Sequence, residues 1–144
     1  VEGRVRPVAP MTSDNTNPAG GINSTAADMA RWMLVQLDSG RLADGTRLFS
    51  AASARELWTL VTPRRAVAAN PLGLDHLRPR VRGYALGFEV RDYRGRVALQ
   101  HTGGLPGYLS MVTMLPDART GVEVLTNAES GEAFGAITYA QGGE

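Results

Sequence analysis

The chain has 144 residues, is 43% hydrophobic and carries a formal net charge of +1, enough apolar material for one core and no global pull toward nucleic acid or an anionic membrane. The absence of cysteine excludes disulfides, zinc–thiolate sites and thiol catalysis, and no apolar run reaches the roughly 18 residues of a membrane span. Lysine is absent too, every basic side chain being arginine; guanidinium stays protonated, so a mechanism that needs a lysine amine as base cannot be completed by these residues alone.

Residues 1–23 hold Pro7, Pro10, Pro18 and the pair Gly20-Gly21, with Ser13, Asp14, Asn15 and Asn17 between them, and read as an irregular, turn-rich segment. A helix start follows. Ser24 or Thr25 can cap it, and Asp28 stands three residues after Thr25, the spacing of a capping box. Over residues 26–38, Met29, Met33 and Leu37 recur every four positions with Ala26, Ala30 and Leu34 beside them. Asp28, Arg31 and Asp38 fall on the other side, so the spacing predicts one amphipathic helix, ended near Gly40. After a turn at 42–45, Ser50 or Ser53 can cap a second helix over 52–61, which Pro63 stops.

Residues 63–83 read as a long loop with Arg64, Arg65, Arg78, Arg80 and Arg82. No aromatic residues interleave with these arginines, so the loop does not read as a nucleic-acid surface. His76 within it is expected to be solvated.

From Tyr84 the apolar period changes to two. Tyr84, Leu86, Phe88 and Val90 alternate, then Val97, Leu99 and His101 after a turn at 92–95. Leu109, Met111, Thr113 and Leu115 form a third run, and Val122, Val124 and Thr126 a fourth after a turn at 116–121. Such short connections imply hairpins. A last helix is expected over 131–141. The fold class is therefore α+β, an antiparallel sheet flanked by helices. Trp32 and Trp58 are expected in the core, and Asn127 to fix a turn through its side chain. Asp75, Asp92 and Asp117 are expected in turns or loops, with no metal-ligand pattern around them; no metal or cofactor is expected.

The chemistry-bearing candidate is His101-Thr102-Gly103-Gly104, at the end of a predicted strand. Two glycines let backbone approach a ligand closely. N–H groups freed from the ladder can meet a developing negative charge, and a histidine there can exchange a proton near neutral pH. Strict alternation puts Thr102 on the face opposite His101 unless the strand bulges. On these four residues alone, a strand running into a glycine turn is an equally open reading.

His101-Thr102-Gly103-Gly104, followed by Leu105-Pro106-Gly107-Tyr108, a strand ending at Pro116, and Val124-Leu125-Thr126-Asn127, resembles the end of the class C branch of the serine β-lactamase-like superfamily. That branch includes β-lactamases, DD-peptidases, D-amino-acid peptidases and penicillin-binding esterases. Residues 18–31, in which Gly20-Gly21 precedes a capped helix, are similar to the same branch. The resemblance covers residues 18–127.

The resemblance implies a β-lactamase/transpeptidase-like fold and a serine hydrolase that acts through an acyl-enzyme on an ester, amide or peptide. In that family a Ser-x-x-Lys motif supplies nucleophile and base, a Tyr-x-Asn motif helps move protons, and a Lys-Thr-Gly or His-Thr-Gly strand lines the site. The third element maps onto His101, Thr102 and Gly103, with the Gly104 N–H in the oxyanion hole and Tyr108 lining the substrate cleft. The first two elements are absent here. Residues 1–144 are therefore expected to be the C-terminal fragment of one such domain, inert alone. The rival expectation is a relative that binds peptidoglycan or a protein without turnover. Family members are often exported, which favours a periplasmic or extracellular location.

Overall fold

The computed structural model describes residues 6–12, 14–65 and 79–141. His76, Asp75 and Arg78 lie outside the described residues.

The segment read as irregular contains a 3-10 turn, Asp14–Thr16, and one turn of helix, α1 (Asn17–Gly20), started by Pro18; proline suits a first helical turn because its missing N–H would have no partner there. Helix α2 (Ala26–Leu37) begins as the sequence predicts. Thr25 is extended, and its hydroxyl oxygen accepts the Asp28 N–H at 3.2 Å. That hydroxyl donates to Asp28 Oδ2 at 2.9 Å, and Arg31 closes on Asp28 Oδ1 at 2.7 Å. Helix α3 (Ala51–Trp58) is capped by Ser50, which accepts the Ser53 N–H at 3.0 Å, and it stops before the predicted end at 61. The residues beyond it turn extended to join the sheet.

Six strands form one antiparallel sheet in sequence order: β1 (Thr62–Pro63), β2 (Arg82–Tyr84), β3 (Glu89–Tyr93), β4 (Arg96–Leu105), β5 (Tyr108–Leu115) and β6 (Thr120–Thr126). Helix α4 (Gly131–Gln141) follows and packs on β5 and β6. The predicted single strand from Tyr84 to Val90 is instead a hairpin. Ala85 N–H donates to Phe88 O at 2.7 Å across a two-residue turn, Gly87 has φ of 89°, and Leu86 at its tip is 54% exposed. A chain that reverses after an even number of residues keeps its alternation, so the period alone hides such a turn. The loop expected over 63–83 carries β1 and the start of β2 at its two ends. Asp92 lies in β3 rather than a turn, its Oδ1 accepting the Val81 N–H at 2.7 Å.

The core sits on one face of the sheet. Val90, Leu99 and Met114 are direct neighbours across β3, β4 and β5, and Leu99 and Met114 are fully buried. Phe88, Val112 and Met33 of α2 complete the cluster, with Leu37, Trp58 and Leu60 packed against it. A fully buried side chain of this size contributes about 2–3 kcal/mol. Helix α2 lies along β6, and glycine at position 121 leaves room for it: a Cβ there would stand 3.0 Å from Met33 Sδ. Two expectations about helix faces change. Leu34 is 63% exposed, and Trp32, at 37% exposed, stacks on Phe88 from the rim instead of filling the core.

Candidate active site

His101-Thr102-Gly103-Gly104 lies inside β4, which continues to Leu105, not at a strand end. Its register with β5 is unbroken: His101 opposes Val112, Thr102 Met111, Gly103 Ser110 and Gly104 Leu109. With no bulge, Thr102 points to the face opposite His101. The glycines are thus paired on one flank. On the other flank the pairing stops, because β3 meets β4 only from Tyr93↔Arg96 to Glu89↔Gln100.

Which backbone groups look out from that open flank follows from two turns. Leu105 and Tyr108 close the Pro106-Gly107 turn as opposed residues, and a pair closing a two-residue turn exchanges its N–H and C=O groups. Alternation then aims the N–H groups of Gly103 and His101 at β5, and those of Gly104 and Thr102 away from it. The Ala85–Phe88 bond sets the same phase from the other side: Phe88 faces β2, hence Glu89 faces β4 and Gln100 faces β3. So the release of N–H groups expected for the whole motif applies to Thr102 and Gly104, while Gly103 is held in the ladder.

The two glycines also differ in what a side chain would meet. A Cβ at Gly103 would stand 2.5 Å from Ser110 Oγ, whereas one at Gly104 would be in ordinary contact with Leu109 Cδ2 at 3.7 Å. A side chain at 103 requires the Ser110 hydroxyl to rotate away, whereas one at 104 requires no such movement.

His101, Thr102, Gly103 and Gly104 are all exposed, as is Tyr108 at 57%, directly across the turn from Leu105. Among the described residues no serine hydroxyl is hydrogen-bonded to His101, and no group of three or more His, Asp or Glu side chains converges as metal ligands would. The His101 ring meets the Tyr84 ring edge-on, with centroids 6.3 Å apart at 61°. Arg64 stands over that tyrosine, 4.9 Å from its centroid. Next to it, Arg82 grips Glu89 with two hydrogen bonds of 2.8 and 2.6 Å.

Three further features support the site, and of these only the Pro106-Gly107 turn has a signal in the sequence. Glu129 Oε1 accepts the Gly107 N–H at 3.1 Å, tying the β4–β5 turn to the segment after β6. Gly107 has φ of 84°, as the second central residue of a Pro-Gly turn must. Gly20 of α1 lies against the end of β4, its Cβ position 3.4 Å from Leu105 Cδ2. The two blocks that carry the resemblance therefore meet in space. Asn127 makes no turn bond among the described residues; the hydroxyl of Thr126 instead lies 3.1 Å from both the Leu109 and Ala128 carbonyls.

A family model described as Beta-lactamase matches residues 2–142. The chain is also similar to a protein named Penicillin-binding protein 4 from Amycolatopsis lactamdurans, with 31% identity over 128 residues. That match covers 89% of this chain and 31% of the relative, so the chain spans about a third of that protein's length.

Proposed function

The chain belongs to the beta-lactamase family, and from that membership we propose that it is the C-terminal part of a class C-type serine hydrolase and supplies one wall of its active site. The reaction is acyl transfer. A serine from the rest of the protein attacks the carbonyl of an ester, amide or peptide, and a lysine and a tyrosine from that part move the proton. The Gly104 N–H holds the oxyanion. His101 stands beside the nucleophile and exchanges a proton with the leaving group or binds it, while Thr102, Gly103 and Tyr108 line the substrate cleft.

The observation that carries this reading is the open flank of β4. Beyond Gln100 the strand offers backbone donors at Thr102 and Gly104 with no strand beside them among the described residues, next to an exposed imidazole. Preorganised N–H donors of this kind cost no reorganisation when charge develops.

Histidine in place of lysine at position 101 removes a permanent positive charge, which favours esters and peptides over β-lactams, whose carboxylate a lysine suits. The test is a comparison of substrates with the full-length protein. Turnover of short-chain p-nitrophenyl esters well above that of nitrocefin is expected. Efficient nitrocefin hydrolysis with no ester turnover contradicts the preference for esters and peptides, and turnover of neither class contradicts the acyl-transfer assignment.

A further inference from the structure

We propose that Tyr84 is a positioning residue for His101, held in place by Arg64; the proposal rests on the acyl-transfer reading above. His101 is exposed on the part of β4 that has lost its β3 neighbour, so the sheet does little to restrict its ring. The contact that does is the edge of Tyr84, with centroids 6.3 Å apart at 61°, inside the range in which aromatic rings attract edge-to-face.

The strands that carry Tyr84 and its neighbours are tied together. Its carbonyl accepts the Val61 N–H at 2.9 Å, and the Arg64 N–H donates to Arg82 O at 2.9 Å, which pins β1 to β2 on both sides of the tyrosine. The Arg82–Glu89 pair clamps β2 to β3. Gly83 lets Leu60 sit directly beneath the strand, where a Cβ would stand 2.5 Å from Leu60 Cγ. The Arg64 guanidinium lies over the ring, within the roughly 6 Å of a cation–π contact. Among the described residues, the Tyr84 ring is thus a fixed stop against which the His101 imidazole rests. A general acid or base must be aimed to within a fraction of an ångström to be effective, so the role of Tyr84 is to narrow the orientations of His101.

The test is made in the full-length protein. Tyr84→Leu is expected to lower kcat about tenfold with KM within about twofold, whereas Tyr84→Phe, which keeps the ring edge, stays near wild type. In a His101→Ala background, Tyr84→Leu should add no further loss. The His101 ring protons, identified by their disappearance in His101→Ala, should shift in the NMR spectrum of Tyr84→Leu and not of Tyr84→Phe. If Tyr84→Leu does not fold, Arg64→Ala at an exposed side chain carries the same test, with a smaller fall in kcat that also vanishes without His101. Equal losses with and without His101, or unmoved ring protons in a variant that has lost kcat, overturn the positioning role alone. Absence of turnover in the wild type overturns the acyl-transfer reading and the positioning role with it; ring protons that still shift then leave only the contact standing.

Discussion

Gln100 is the last residue of β4 to have a partner in β3, and that partner is Glu89. One residue further on, at His101, the strand is paired on a single flank among the described residues. The proposed site of backbone donors beside an imidazole depends on where β3 begins, and β3 begins there because the chain reverses at Leu86-Gly87.

This asymmetry makes Gly104 and Gly103 respond differently to proline. At Gly104 proline removes an N–H that faces the open flank, so no ladder bond is lost. Gly104→Pro is expected to leave the melting temperature nearly unchanged and to lower kcat in the full-length protein by about 10²–10³. Gly103→Pro removes an N–H that bonds β5 and is expected to destabilise the fold by about 1–3 kcal/mol. Thermal melts and steady-state kinetics on the same two variants check both halves.

The close approach of Ser110 to Gly103 yields a stability prediction of its own. Gly103→Ala brings a methyl against Ser110 Oγ, which must rotate away, and is expected to cost up to about 1 kcal/mol. Ser110→Gly in the same chain should recover most of that, measured by chemical denaturation. Gly104→Ala, with ordinary contact distances, should cost less.

Glu123 in β6 makes stability depend on pH. It is half-buried, its Oε2 has no partner among the described residues, and burial pushes its carboxyl up to about 7 from an ordinary 4.5. A raised acid is a penalty on the charged form, so the Glu123 contribution to stability is most favourable below about pH 4.5, falls as pH rises toward 7 and stays at the lower level above it. Glu123→Gln removes that penalty. It should raise stability at pH 8 by about 1–2 kcal/mol, a value reduced from full linkage because the side chain keeps some access to water, and change little at pH 4. Melting curves at the two pH values decide it.

The cap of α2 is testable at one atom. Thr25→Ala removes the acceptor of the Asp28 N–H and is expected to cost about 1 kcal/mol. Thr25→Ser should keep most of the stability in the same melt.

Much of this fold is legible in the sequence where one local rule suffices. Thr25, Asp28 and the four-residue spacing of Met29, Met33 and Leu37 predict α2 to within a residue, and the period-two runs predict β4, β5 and β6. The β2–β3 hairpin is not legible from alternation, since Tyr84, Leu86, Phe88 and Val90 alternate straight through it; Gly87 was the available signal. The His-Thr-Gly-Gly motif is visible as a pattern, but which of its N–H groups is open depends on the phase set by turns at Leu86-Gly87 and Pro106-Gly107. Long-range contacts such as Glu129 with Gly107, and Tyr84 with His101, join residues from different strands and turns and leave no periodic trace. Trp32 stands at the rim because its aromatic partner, Phe88, lies at the margin of the sheet just beyond the β2–β3 turn, which no helical spacing records.

The most direct measurement of the proposed chemistry is mass spectrometry of the full-length protein caught during turnover of a p-nitrophenyl ester. A transient mass increase of one acyl group is expected, on a serine that lies outside these 144 residues and is followed three positions later by lysine, with the adduct greatly diminished in Gly104→Pro. Ester turnover with no acylated protein, or an adduct on a residue within 1–144, contradicts the proposed chemistry.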